Sequence, residues 1–288
     1  MKGILLAGGR GTRLHPLTLA TSKQLLPIYD KPMVYYPLSV QMLAGLRDVL
    51  IVSTPQHLPL YRQLLGDGSD FGIRLSYVEQ DQPRGLADAF RVGRDFLEGG
   101  PACLALGDNV IYGNQLGPML QEAATLTTGA EVFATRVSDP SRYGVVEFDA
   151  QGRALDIVEK PTEPRSSYAV MGLYFYGPDV VEHAATLRPS ARGELEITDL
   201  NRIYLERGEL RVRRLGRGIA WLDTGTPQAM TETSMFIHAV EARQGLKVAC
   251  LEEIVLAQGW IDADRMRHRI ARLGDNSYSA YLSRLLDE

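Results

Sequence analysis

Short apolar runs alternate with amphipathic stretches through the first half of the chain. Residues 4–7, 48–53, 74–79, 103–106 and 131–136 read as strands, because each is a brief apolar or β-branched run bounded by polar or glycine positions. Helical patterns fall between them, near residues 34–44, 59–65, 86–96 and 115–126. Leu86, Phe90 and Leu97 recur at helical spacing and predict one buried face. Strands alternating with helices predict an α/β fold: a Rossmann-like, mostly parallel sheet flanked by helices. Ligands of such sheets gather at the carboxyl ends of the strands.

The second half is richer in strand patterns. Residues 144–148 and 155–159 flank Ala150-Gln151-Gly152 and read as a hairpin, followed by a strand over 168–176. A helix over 197–207 leads to strands at 210–215 and 220–222. Pro227 suits the first turn of a long helix reaching residue 244. Beyond Cys250 the pattern is one of short helices. These readings divide the chain into a core over 1–240, with a small β-rich part, and a helical extension over 241–288 that packs on it.

The first apolar run ends in Leu6-Ala7-Gly8-Gly9-Arg10-Gly11-Thr12-Arg13, and Lys23 follows ten residues later. Glycines let backbone amides approach a ligand with no Cβ in the way. The hydroxyl of Thr12 and the cations Arg13 and Lys23 suit a polyphosphate. A tight turn between strand and helix accounts for the glycines alone. It does not call for Gly-Gly-x-Gly-Thr-Arg, which arises by chance about 10⁻⁶ times per start position. A dinucleotide fingerprint fails because Leu14 stands where its third glycine belongs. A P-loop fails for want of a terminal Gly-Lys-Ser/Thr.

Bulk composition narrows the partners. The 288 residues are 45% hydrophobic, ample for a core, and carry a net charge of −4. That charge offers no basic field for nucleic acid, so an anionic ligand must be held by local cations. Cys103 and Cys250 are the two cysteines, too far apart for a metal knuckle. No run approaches membrane-spanning length, and the amino-terminal apolar run is too short for a signal peptide. A cytoplasmic location is expected, with no membrane or nucleic-acid partner.

Two carboxylates end apolar runs: Asp108 after Cys103-Leu104-Ala105-Leu106-Gly107, and Asp223 after Ala220-Trp221-Leu222. Either alone reads as a turn or capping residue. Two well-placed aspartates on different strands would be enough for magnesium, which completes its octahedron with water and phosphate oxygens. Five scattered histidines, His15 among them, suggest no nucleophile pair.

Longer motifs sharpen this reading. Ser22-Lys23-Gln24-Leu25-Leu26-Pro27, Asp30-Lys31-Pro32-Met33-Val34-Tyr35-Tyr36-Pro37, Gly107-Asp108-Asn109, Val158-Glu159-Lys160-Pro161, Glu194-Leu195-Glu196-Ile197-Thr198-Asp199 and Trp221-Leu222-Asp223-Thr224-Gly225 occur in that order. The chain resembles the sugar-1-phosphate nucleotidyltransferases over nearly its whole length, and among them the bacterial thymidylyl-transferring branch. The resemblance implies magnesium-dependent transfer of a thymidylyl group from dTTP to α-D-glucose 1-phosphate. The products would be dTDP-glucose and pyrophosphate, in the first step towards dTDP-L-rhamnose. A UTP-using uridylyltransferase is the alternative, since thymine and uracil differ by one methyl. A non-catalytic nucleotide-sugar sensor is a further one, though such a protein would be expected to lose Asp108, Asp223 or Arg13.

Roles follow from the resemblance. Gly8, Gly9, Gly11 and Thr12 would cradle the nucleotide, with Gln24 beside them. Arg13 would stabilise the leaving pyrophosphate, and Lys23 would bind triphosphate oxygens. Gln80, Pro83, Gly85 and Leu86 would meet the base. Asp108 and Asp223 would hold Mg2+. Asn109, Tyr112, Gly144, Glu159, Lys160, Val170 and Tyr174 would bind the sugar phosphate, although Val170 and Tyr174 read equally as core. The resemblance also implies a homotetramer with a second, regulatory nucleotide site near subunit contacts. Arg10, Leu251 and Leu256 depart from what relatives often carry at those positions.

Overall fold

Strand β1 (Lys2–Leu6) opens the fold, followed by the two-residue strands β2 (Pro27–Ile28) and β3 (Lys31–Pro32) and by α1 (Tyr35–Leu43). Then come β4 (Asp48–Ser53), α2 (Leu58–Leu65), β5 (Arg74–Glu79), α3 (Asp88–Val92), α4 (Arg94–Leu97), β6 (Ala102–Leu106) and β7 (Asn109–Gly113). Next are α5 (Leu116–Ala123), β8 (Ala130–Arg136), β9 (Gly144–Phe148), β10 (Ala154–Glu159) and β11 (Tyr168–Tyr176). The chain continues through α6 (Val180–Thr186), α7 (Ile197–Glu206), β12 (Leu210–Arg214) and β13 (Ile219–Asp223). It closes with α8 (Pro227–Gln244), α9 (Leu251–Ala257), α10 (Ala263–Leu273) and α11 (Ser277–Asp287). This computed structural model describes residues 1–9 and 11–287, so Arg10 lies outside the described residues.

Strands β6, β1, β4 and β5 lie side by side and parallel. Ile4, Leu6, Leu50 and Val52 face Phe90, Val180 and Leu200 on one side. Leu5, Ala7, Val49 and Ile51 face Leu38, Tyr61, Leu251 and Leu282 on the other. Strands covered on both faces need apolar side chains at every position, which is why β1, β4 and β6 show no alternation. Leu251 and Leu282 come from the last helices and are fully buried. Each such side chain contributes roughly 1.5–3 kcal/mol. The residue 240 boundary falls inside α8, so one helix runs from the core into the carboxyl-terminal segment.

The nine-stranded sheet forks at β11. One edge of β11 carries β8, antiparallel, at both ends of the strand. The other edge carries β6 over residues 173–176 and meets β9 at Ala169. Between those two partners the edge is open at Val170 and Gly172, and the β9–β10 hairpin diverges from the parallel strands. Strand β7 leaves the main sheet and pairs antiparallel with β13.

One predicted helix differs. The single helix over 86–96 is two short ones, α3 and α4, broken at Gly93, the residue type least suited to a helix interior after proline. Leu86 precedes α3 and lies in a loop. Among the described residues no helix is long and apolar enough to cross a membrane.

Candidate active site

The turn Gly107-Asp108 joins β6 to β7, and the register of β7 with β13 sets Asn109 opposite Asp223. Two carboxylates distant in sequence thus arrive on adjoining strand ends. Thr224 is fully buried and locks the ends together, donating its hydroxyl to the Asp108 carbonyl at 2.8 Å. Lys23 Nζ pairs with Asp108 Oδ2 at 2.5 Å, and Asn109 Nδ2 donates to Asp108 Oδ1 at 2.8 Å. Arg142 reaches Asp223 Oδ2 at 3.3 Å.

The two acids differ in charge balance. Burial works to raise the Asp108 pKa, but the Lys23 ammonium and the hydrogen bonds from Lys23 and Asn109 bring it below the ordinary value. At Asp223 burial and the neighbouring Asp108 charge prevail over Lys23, Arg142 and Arg13, and the pKa is raised. The pair is therefore short of positive charge. Hard carboxylate oxygens with a charge deficit fit a divalent cation that brings its remaining ligands with it. No cluster of three or more acidic, histidine or cysteine ligands exists among the described residues, so no all-protein metal cage is built.

Two hollows meet at Asp108. The larger, about 420 Å³, is lined by Arg13, Asp108, Asn109, Gly144, Glu159, Lys160, Val170, Tyr174 and Asp223, with others. The smaller, about 180 Å³, is lined by Gly8, Gly9, Gln24, Gln80, Pro83, Gly85 and Leu86, with Asp108. Leu86, Leu106 and Asp108 belong to both walls.

The larger hollow opens at the fork of β11. Val170, Gly172 and Tyr174 alternate along that strand and present one face to it. A Cβ on Gly172 would stand 2.6 Å from Asn109 Oδ1, so the backbone can approach only as glycine. Asn109 Oδ1 accepts from Gly172 N at 3.1 Å and from Trp221 Nε1 at 2.5 Å. Glu159 accepts from the Thr198 hydroxyl at 2.5 Å. Arg192 and Lys160 stand at 3.7 and 3.5 Å from its other oxygen. Val170 and Tyr174 are at once core and lining: both are buried, and the Tyr174 phenol is pushed up first by burial and then by the Glu159 and Asp108 charges.

In the smaller hollow, Gln24 donates to the Gly8 carbonyl at 3.2 Å and braces the glycine loop. Gly85 has φ +105°, and a Cβ there would lie 2.4 Å from the Leu195 carbonyl oxygen. Its need for glycine is thus met within the protein, whatever approaches from outside.

Some expected residues are not brought to these walls. Thr12 is exposed on a single 3-10 turn, and neither it nor Gly11 lines either hollow. Lys23 reaches the site only through Asp108. Tyr112 points elsewhere: its hydroxyl donates to Gln244 at 3.0 Å and its ring packs on Phe236. Asn109 and Tyr112 are three apart on one strand, and an odd separation sends side chains to opposite faces.

A family model described as nucleotidyl transferase matches residues 2–240. The chain belongs to the nucleotidyl transferase family. The transferase is 56% identical over 284 residues to a Xanthomonas campestris pv. campestris (strain B100) protein named glucose-1-phosphate thymidylyltransferase, covering 99% of this chain and 96% of that one. A solved Bacillus anthracis structure, described as a candidate glucose-1-phosphate thymidylyltransferase in complex with sucrose, is 38% identical with a TM-score of 0.76. That match covers 82% of this chain and 94% of the other. A UDP-glucose pyrophosphorylase complexed with UDP-glucose is 25% identical with a TM-score of 0.72, covering 83% and 98%.

The walls of the transferase also include residues that motif reading left without a role. Arg142 and Tyr143 line the larger hollow immediately before Gly144, as do Thr198, Asn201 and Trp221. Glu194 lines the smaller one. Thr198 and Glu194 lie within one quoted motif and Trp221 within another, which was the available signal. Arg142 lies in a 3-10 turn (Pro140–Arg142) with no such mark.

Proposed function

We propose that this chain transfers a thymidylyl group from dTTP to α-D-glucose 1-phosphate, releasing pyrophosphate. The observation that carries this reading is the meeting of two hollows at one carboxylate, with Arg13 and Asp223 on the larger wall. The smaller takes the nucleotide and the larger the sugar phosphate. A phosphate oxygen of the sugar attacks the α-phosphorus of dTTP. The new P–O bond forms as the bond from that phosphorus to the bridging oxygen of the β-phosphate breaks. A phosphate monoester is already largely dianionic at neutral pH, so no base must remove a proton. The residues position reactants and neutralise charge.

Lys160 holds the sugar phosphate. Glu159, oriented by Thr198, accepts from sugar hydroxyls. Arg13 draws charge off the departing pyrophosphate, and Lys23 shares its charge between Asp108 and the triphosphate. Asp108 and Asp223 would hold Mg2+, which supplies neutralisation of phosphate charge. Thymine is preferred to uracil as the base because the 56% identical relative carries the thymidylyl name, whereas the UDP-glucose enzyme is 25% identical. Two buried free thiols, Cys103 and Cys250, agree with a reducing cytoplasm. A homotetramer with a regulatory nucleotide site belongs to the same proposal, and sedimentation of the full chain as a monomer would reject that part.

Purified protein incubated with dTTP, glucose 1-phosphate and magnesium should release pyrophosphate. Release no faster than in a chelated control rejects the proposal. A higher catalytic efficiency with UTP than with dTTP replaces it by the uridylyl reading.

A further inference from the structure

Gln80 follows β5 directly and is 4% exposed. Its Nε2 donates to Asp88 Oδ2 at 2.9 Å. Asp88 is 2% exposed, and the same oxygen accepts from Arg84 Nε at 3.3 Å. A carboxylate offers acceptors only, so it dictates which end of the neighbouring amide turns towards it. Nε2 must face Asp88, and Oε1 must face away. That oxygen lies 3.4 Å from the point where a Cβ on Gly8 would stand, on the wall of the smaller hollow. Among the described residues no donor hydrogen-bonds it, and it is not sealed from solvent.

Asp88 is itself held in place. Leu195 N donates to the Arg84 carbonyl at 2.7 Å, and Ala87 N donates to the Leu195 carbonyl at 3.2 Å. The loop entering α3 is clasped on both sides of Gly85, which fixes the backbone that carries the carboxylate.

We propose that Asp88 is a positioning residue that fixes Gln80 as a hydrogen-bond acceptor, and so selects pyrimidine bases carrying N3–H over cytosine. This rests on the reading of the smaller hollow as the base end of the nucleotide site. Thymine and uracil present a hydrogen at N3, whereas cytosine presents a lone pair there. Cytosine therefore sets acceptor against acceptor and leaves both without a partner. An amide free to rotate would accommodate either base. The carboxylate removes that freedom.

The test compares dTTP with dCTP by calorimetric binding to the full chain, alongside turnover with glucose 1-phosphate. Wild type should favour dTTP by roughly 100-fold or more. Asp88→Asn and Asp88→Ser both offer a donor as well as an acceptor, so Gln80 can turn round. In whichever variant melts cooperatively, the dTTP/dCTP ratio should fall at least roughly tenfold, chiefly through tighter dCTP binding. The KM for glucose 1-phosphate should not move. A merely structural role would weaken both triphosphates alike, and an unchanged ratio overturns the proposal. So does a wild-type ratio near one. If wild type binds neither triphosphate, the base-site reading falls and this inference with it. If dTTP binds and selection survives the variants, only the positioning role falls.

Discussion

The two hollows that meet at Asp108 are built by different means. The smaller has three glycines in its wall: Gly8, Gly9 and Gly85 give it surface without side chains, and Gln24 and Gln80 are tied by hydrogen bonds at its edge. The larger is walled by side chains that hold one another, with Glu159 under Thr198 and Asn109 between Gly172 and Trp221. Backbone amides suit an anion whose charge is spread over several phosphates. Interlocked side chains suit a ligand whose hydroxyls must be told apart. Nucleotide binding should therefore depend on the chain path, and sugar choice on individual contacts.

Arg13→Ala gives the largest expected effect, because it removes an exposed cation of the larger hollow without disturbing the core. Turnover should fall roughly 10²- to 10⁵-fold, the span from one oxyanion donor to an arginine finger. Wild-type kcat in the variant would remove Arg13 from the chemistry. Asp108→Asn strikes the wall that both hollows share. The magnesium concentration for half-maximal activity should rise at least roughly tenfold, and a superimposable metal titration would argue against ligation.

Thr198→Val should act on one hollow alone. Loss of the hydroxyl that holds Glu159 is expected to raise the KM for glucose 1-phosphate roughly 5- to 10-fold, the worth of one hydrogen bond of about 1 kcal/mol. The KM for dTTP should stay put; a matched rise in both would mean that the hollows are not independently built.

The smallest effect lies away from both. Burial opposes ionisation of Asp30, but Lys31 and Lys247 bring its pKa below the ordinary 3.8. A depressed carboxyl stabilises the fold above its unfolded pKa and loses that contribution as pH falls through 3.8 towards the folded value. Denaturant melts should show wild type losing stability below pH 3.8 faster than Asp30→Asn, by no more than about 1.4 kcal/mol per pH unit. Identical slopes would remove Asp30 from the acid response.

Elements bounded by local punctuation were legible in the sequence. Strands β4, β5, β9 and β11 and helix α8 occupy the residues their patterns predict. Strand β7 was not legible, since it follows β6 after a two-residue turn and nothing local shows that it leaves the sheet to meet β13. The carboxylates could be read as candidates because each ends an apolar run. Their supporting contacts could not, because those join residues far apart: Thr198 to Glu159 across 39 positions, Arg142 to Asp223 across 81. Tyr112 follows Asp108 closely in sequence, but the pleat turns its side chain towards Gln244.

A strand stitched along both its edges is a ruler as well as a wall. Sliding β11 by a single residue would rotate Val170 and Tyr174 out of the opening and break its ladders with β8, β6 and β9 together. The gap at the fork therefore has one width. Descendants of this chain can repaint its rim by exchanging side chains, but a wider mouth would require rebuilding the sheet.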